Sequence, residues 1–227
     1  MSSARRPYHS SVRAERARET RRGLVEAATA RFLDAGYAST SLAEVAEAAG
    51  VSVDTVYKTF GSKIALLKEL LDVAIGGDDA PVSLLERAAP RALREEADQR
   101  VQVRMLAAGV TRQLERIRPL DDILRGAAAV DAEAAALRED IQVRQRRTAM
   151  RTIVGWIAAN GPLRDGLSVN RAAQMVWTLT SPEVHLLMRE TGGWSERAYR
   201  AWLEQAIADG ILGQPVSPAV GQPGSRA

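Results

Sequence analysis

Residues 40–63, Thr40-Ser-Leu-Ala-Glu-Val-Ala-Glu-Ala-Ala-Gly-Val-Ser-Val-Asp-Thr-Val-Tyr-Lys-Thr-Phe-Gly-Ser-Lys63, decide the fold. Ser41 and Glu44 have the spacing of a capping box, in which each side chain satisfies a backbone amide that the first helical turn leaves free. Leu42, Val45, Ala46 and Ala49 then fall on one face of a short helix. Gly50 permits a left-handed turn, and Ser52 can cap a further helix. On that helix Val51, Val56 and Phe60 share one side, leaving Ser52, Val53, Asp54, Thr55, Tyr57 and Lys58 outward. Ser62 caps a fourth helix with Ile64, Leu67, Leu71 and Ala74 inward. Two short helices about a glycine turn form a helix-turn-helix, whose second helix is shaped for the major groove of DNA.

Working outward, a preceding helix is expected from about Glu15 to Ala35, with Leu24, Ala27, Ala28 and Phe32 inward and Gly36 as a left-handed stop. The 227-residue chain carries a net charge of +3, is 46% hydrophobic and has no cysteine. Disulfides, thiolate metal sites and cysteine nucleophiles are therefore excluded. The two histidines, His9 and His185, lie far apart in sequence, so no histidine metal site is expected. No apolar run reaches the length of a membrane span, and the start lacks the apolar stretch of a signal peptide. Residues 1–31 hold eight arginines against three glutamates. Arg5, Arg6, Arg13, Arg16, Arg18, Arg21 and Arg22 could track a phosphate backbone or enter a minor groove. A solvated, disordered tail is the alternative.

Beyond Gly76-Gly77-Asp78-Asp79-Ala80-Pro81, a stretch hostile to helix, the sequence returns to long Ala/Leu/Arg/Glu runs without the alternation of strands. Expected helices are 98–118, 120–130, 131–159, 170–179, 182–190 and 195–211. The organisation read is a basic disordered arm (1–14), a helix-turn-helix domain (15–61), a connecting helix (62–76), a helical body (77–212) and a disordered tail (213–227). The fold class is all-α.

The run Leu42-Ala-Glu-Val-Ala46, Ala49-Gly-Val-Ser52, Thr55-Val-Tyr57, Phe60-Gly-Ser-Lys63 and Ala65-Leu-Leu67 resembles the DNA-binding domain of the TetR/AcrR family of bacterial transcriptional regulators. The resemblance covers about residues 20–75. It implies a recognition helix bearing Ser52, Val53, Asp54, Thr55, Tyr57 and Lys58, with Tyr57, Lys58 and Lys63 on or near phosphates. A lysine in the first turn of a helix opposes the macrodipole, and a bound anion would reverse that cost. Thr40 and Ser41 stand where the second helix could present amides to a phosphate. Asp54 has two readings, favouring its helix N-terminus or accepting from a cytosine amino group, while Val53 could meet a thymine methyl.

The resemblance also implies a body that binds a small effector and dimerises through its last two long helices. Two heads would then meet successive major grooves of a palindromic operator. Met105, Trp156, Trp177, His185 and Met188 are candidate linings of an apolar effector cavity, although tryptophans at helical spacing also serve as plain core. The resulting expectation is a homodimeric, ligand-responsive, cytoplasmic regulator, most simply a repressor. It would need no cofactor or metal, would not touch a membrane, and would associate with the nucleoid when bound. An activator of the same fold and a helical protein-interaction module are the alternatives. Catalysis is not expected, because no activated nucleophile, metal cluster or phosphate-cradling loop is present in the sequence. Adjacent acids such as Asp121 and Asp122, or Glu95 and Glu96, point to different sides of a helix.

Overall fold

The computed structural model describes residues 8–213, and among them there is no strand. The head comprises α1 (Tyr8–Ser39), α2 (Leu42–Ala48), α3 (Val53–Phe60) and α4 (Lys63–Gly76). The body comprises α5 (Ala88–Glu95), α6 (Gln99–Ala128), α7 (Ala132–Glu139), α8 (Arg146–Ala159), α9 (Val169–Leu179), α10 (Pro182–Leu186) and α11 (Glu196–Ile211). Two π-helical stretches, Asp140–Gln145 and Leu187–Thr191, join α7 to α8 and prolong α10.

Several boundaries differ from the sequence reading. Helix α1 begins at Tyr8 rather than near Glu15, so the second half of the expected arm is helical. Arg5, Arg6 and the expected tail beyond Gly213 lie outside the described residues. Gly36 has the positive φ expected of it, at 79°, but its ψ of 166° lies outside the left-handed helical well. Only glycine enters that region without strain. Helix α5 is absent from the expected set, and Pro90 lies in its first turn, where a missing amide costs no helical bond.

The sequence reading breaks the chain at Pro119, yet α6 runs through it. The proline forfeits one backbone bond, at about 3 kcal/mol in a helix interior. Burial on both sides offsets that cost. Before it, Val103, Leu106, Val110, Leu114 and Ile117 belong to the core of the body; after it, Leu120, Leu124 and Ala127 belong to the core of the head. Each buried leucine contributes about 1.5–3 kcal/mol. Pro119 thus stands where α6 passes from one core to the other.

The core of the head is consequently larger than residues 15–76. Leu24, Ala28 and Phe32 of α1, Val45 and Val56, and Leu66, Leu67, Leu70 and Leu71 of α4 pack with Leu120, Leu124, Ala134, Leu137 and Ile141. The core of the body is completed by Ile153, Val154 and Ile157 of α8, Val176 of α9, and Tyr199, Leu203, Ile207 and Ile211 of α11. Ala74 and Ile75, in the last turn of α4, touch both.

One buried charge lies at this junction. Asp121 is 5% exposed and accepts from Gln142 Nε2 at 2.8 Å. Burial raises its carboxyl above the ordinary range, against the opposing pull of Arg138. A carboxyl raised on folding holds its proton more tightly in the folded chain than in the unfolded one. Its charge therefore costs stability above the folded value, and the cost vanishes as pH falls below the unfolded value. Asp121→Asn keeps an acceptor for Gln142 and removes the charge. It is expected to raise the melting temperature at pH 7, with the gain shrinking toward pH 4. A lower melting temperature at pH 7 would show that the carboxylate is net stabilising there.

Candidate nucleic-acid interface and effector cavity

The second helix is held at both ends by its own sequence. Ser41 Oγ accepts from the Glu44 amide at 3.2 Å, and Glu44 Oε2 accepts from the Ser41 amide at 2.7 Å. That amide bond holds the Glu44 carboxyl below its ordinary range. Gly50, at φ 67°, turns the chain so that the Val51 amide reaches the Ala46 carbonyl at 3.0 Å. Ser52 then caps α3 by accepting from the Thr55 amide at 3.3 Å, and its hydroxyl meets that of Thr55 at 2.9 Å.

Val56 is fully buried and seats α3 on the head, with Val51 and Phe60 half-buried beside it. On the opposite side Ser52, Val53, Asp54, Tyr57 and Lys58 are exposed, Tyr57 at 54%, and Thr55 is half-buried. This outer face combines a cation, a carboxylate, an apolar side chain and two kinds of hydroxyl, the groups that contact phosphates and read base edges.

Three expected contacts are placed differently. Thr40 is 2% exposed, and its hydroxyl donates to the carbonyls of Gly36 (2.9 Å) and Arg31 (3.2 Å), so its side chain is turned inward. Lys63 Nζ donates to the carbonyls of Tyr37 (2.8 Å) and Thr40 (3.0 Å) and sits 4.3 Å from the centre of the Tyr37 ring. Its ammonium therefore binds the corner between α1 and α2, which resolves its awkward position in the first turn of α4. Arg21 pairs with Glu69 at 2.8 Å and lies 4.8 Å from the Phe60 ring centre, bracing α1 against α3 and α4. Arg16, Arg18 and Arg22 are exposed, as is Arg13.

In the body, a cavity of about 300 Å³ opens beside the last turn of α4. Ile75, Leu93, Met105, Leu106, Met150 and Ile153 form its apolar floor, while Asp78, Arg87, Arg112, Gln113 and Arg116 stand at its polar side. Of the five side chains proposed from sequence, only Met105 lines it. Trp177 donates from Nε1 to the Gln142 carbonyl at 3.0 Å and faces an arginine-rich surface groove of α8 and α9. Trp156 packs on the body core beneath Arg94, and Met188 packs on the same core. His185 is 2% exposed, meets Glu115 Oε1 at 3.1 Å and stands edge-on to Tyr199, a core position. Burial lowers its pKa despite the Glu115 carboxylate.

The residues that sequence reading missed are those tying the cavity to α4. Gln113 Nε2 donates to the Ile75 carbonyl at 3.0 Å, and Arg116 Nε donates to the Ala74 carbonyl at 3.1 Å. Arg87 passes so close to Gly76 that a Cβ there would sit 2.6 Å from its guanidinium. The glycine pair at 76–77 signals a close approach, but the partner is set by folding. Among the described residues no group of three or more His, Cys, Asp or Glu side chains could hold a metal ion, and no helix is long and apolar enough to cross a membrane.

Comparison with known proteins places these features in a family context. Residues 24–70 match the family model of bacterial regulatory proteins, tetR family. Over 58 residues the chain is 45% identical to the HTH-type transcriptional regulator TtgR of Pseudomonas putida; the match covers 26% of this chain and 28% of TtgR. The chain thus spans little more than a quarter of that relative's length in the match. Among solved structures it is similar to NalD of Pseudomonas aeruginosa, the secondary repressor of the MexAB-OprM multidrug efflux pump. The two are 20% identical over 86% of this chain and 97% of NalD, with a TM-score of 0.62. SmeT in complex with triclosan is 21% identical over 92% of this chain and 100% of SmeT, with a TM-score of 0.61. At these identities the structural likeness shows a shared fold.

Proposed function

We propose, from the match of residues 24–70 to the family model of bacterial regulatory proteins, tetR family, that this chain is a sequence-specific, ligand-responsive transcriptional regulator, acting as a homodimeric repressor in the bacterial cytoplasm. The observation that carries the reading is the division of α3. Val56 is fully buried, while Val53, Asp54, Tyr57 and Lys58 stand together in solvent on a short, capped helix. Tyr57 and Lys58 would hold phosphates, and Val53 and Asp54 would face base edges. Lys63 is set aside as a phosphate contact.

One such helix reads too few base pairs for selective binding, so a two-fold pair of heads about 34–36 Å apart is required. Helices α9 to α11 would supply the pairing surface. Leu187 (59%) and Trp194 (37%) are exposed there, as are Ala198 and Ala201, three positions apart on α11 and small enough for close helix packing.

The cavity floored by Met105 would take the effector. Occupation must favour a conformation whose heads misfit the operator, since equal affinity for both conformations shifts nothing. That SmeT has been solved with triclosan, on a similar fold, supports a body able to hold a small molecule.

A titration of the whole chain against DNA flanking its own gene, at several salt concentrations and with random DNA as control, tests the reading. Tight binding to one fragment is expected, with two chains per palindromic site and a log–log salt slope of about 0.9 per phosphate neutralised. Equally weak binding to both DNAs would overturn it. Asp54→Ala is expected to change base preference at one position per half-site; an unchanged preference would leave Asp54 only its place at the helix N-terminus.

A further inference from the structure

We propose that the cavity beside α4 is built for an apolar molecule ending in an acid group, and that this acid takes Arg116 away from the last turn of α4. The site rests on its own geometry; only its consequence for DNA rests on the regulator reading above.

The size and floor of the cavity set the body of the ligand. Its 300 Å³ corresponds to the volume of about ten water molecules, enough for a chain or ring system of about ten to twelve non-hydrogen atoms. The apolar part of the lining offers hydrocarbon from Leu93, Leu106 and Ile153 and the thioether side chains of Met105 and Met150.

The mouth sets the head group. Three arginines, Arg87, Arg112 and Arg116, line the cavity against a single carboxylate, Asp78. That carboxylate is already committed: Arg87 donates to it at 2.6 Å and holds it below its ordinary range. Arg112 is exposed and makes no hydrogen bond or ion pair among the described residues. It stands one helical turn before Arg116, and like charges at that spacing on a helix repel. Two guanidinium groups a turn apart over an apolar slot fit a carboxylate, which can accept from both. A neutral ligand leaves the repulsion in place, and a cationic one adds to it.

Arg116 also has a second employment. Its Nε donates to the Ala74 carbonyl, and its guanidinium lies across Gly77, 3.5 Å from where a Cβ would stand. The last carbonyls of a helix have no partner within it and carry partial negative charge, so a cation there secures the end. A full carboxylate charge competes successfully with a partial one for the same guanidinium. Once Arg116 turns to the ligand, Gln113 is left as the hydrogen-bond donor from α6 to the last turn of α4. A second cavity of about 550 Å³, bordered by Glu69, Asp72 and Gln145, also touches that turn and leaves it room to shift.

The test uses the full chain without DNA and three ten-carbon probes: decanoate, decanol and decylammonium, each below its micelle concentration, measured by calorimetry. Decanoate is expected to bind about tenfold tighter than decanol or more, in line with a charge-assisted bond. Arg112→Gln and Arg116→Gln should each erase most of that preference while leaving decanol affinity unchanged. Hydrogen exchange at the amides of residues 73–77 should quicken when decanoate is bound. The proposal is overturned if decanoate fails to bind, if decanol or the ammonium binds as tightly, if the preference survives both substitutions, or if exchange at those amides does not change. Acid binding that leaves DNA affinity untouched would instead count against the regulator reading, with the site intact.

Discussion

Lys63→Met is expected to lower the melting temperature of the chain by about 7 °C or more, and operator binding should weaken because the head loosens. Methionine keeps the length of the stem and loses every donor. Lys63 Nζ now serves two carbonyls, those of Tyr37 and Thr40, at 2.8 and 3.0 Å. Both residues are buried, at 8% and 2% exposure, and both follow the kink at Gly36. Burial, with the nearby Asp131 and Glu133 carboxylates, pushes the Tyr37 hydroxyl up to about 12, so the ring stays neutral beneath the ammonium. Hydrogen bonds from a charged donor contribute about 1.5–3 kcal/mol each. Losing two of them, together with a cation–π contact of about 0.5–1 kcal/mol, outweighs any single surface contact in the head. Thermal unfolding with and without operator DNA checks this. An unchanged melting temperature with weakened DNA binding would put the ammonium back on a phosphate.

The opposite behaviour is expected of Tyr57. Tyr57→Ala should leave the melting temperature within about 1–2 °C, because exposed substitutions cost little. Tyr57 is 54% exposed and its hydroxyl has no partner among the described residues. On DNA a hydroxyl donating to a charged phosphate, plus the ring against the sugar, is worth about 1–1.5 kcal/mol per head, or roughly tenfold. A dimer uses the residue twice, so operator affinity should fall about a hundredfold, equally across operator sequences. Tyr57→Phe separates the parts: loss of most of the affinity assigns the effect to the hydroxyl, and retention assigns it to the ring. Unchanged affinity in Tyr57→Ala would remove the residue from the interface.

These contrasting outcomes mark where the sequence is legible. The capping box at Ser41 and Glu44, the turn at Gly50, the caps at Ser52 and Ser62 and the buried side of α3 are local features, set by residues within four positions of one another. All appear in the structure as read. Lys63 is legible only as a cation in an awkward place. Its partners lie 26 and 23 positions earlier and meet it because Gly36 kinks the chain just before them. The same distance hides Arg116, whose partner carbonyl is 42 positions away. Pro119 misleads because propensity is local, while the two cores that hold α6 continuous are not. The tryptophans and His185 present themselves as cavity linings because bulk at helical spacing reads the same whether it faces a cavity or a core. Packing alone distinguishes them.

The passage of α6 between the two cores also bears on how such proteins can be recombined. A chimaera joined at Gly76 would give the borrowed head a foreign ceiling in place of Leu120, Leu124, Leu137 and Ile141, with the host's own side chains meeting Leu66 and Leu70. The transplantable unit is therefore discontinuous in sequence: residues 8–76 together with 120–141. Heads of this kind should be exchanged between regulators along with that helical corner, and a graft that omits it would inherit the operator of the donor without its thermal resilience.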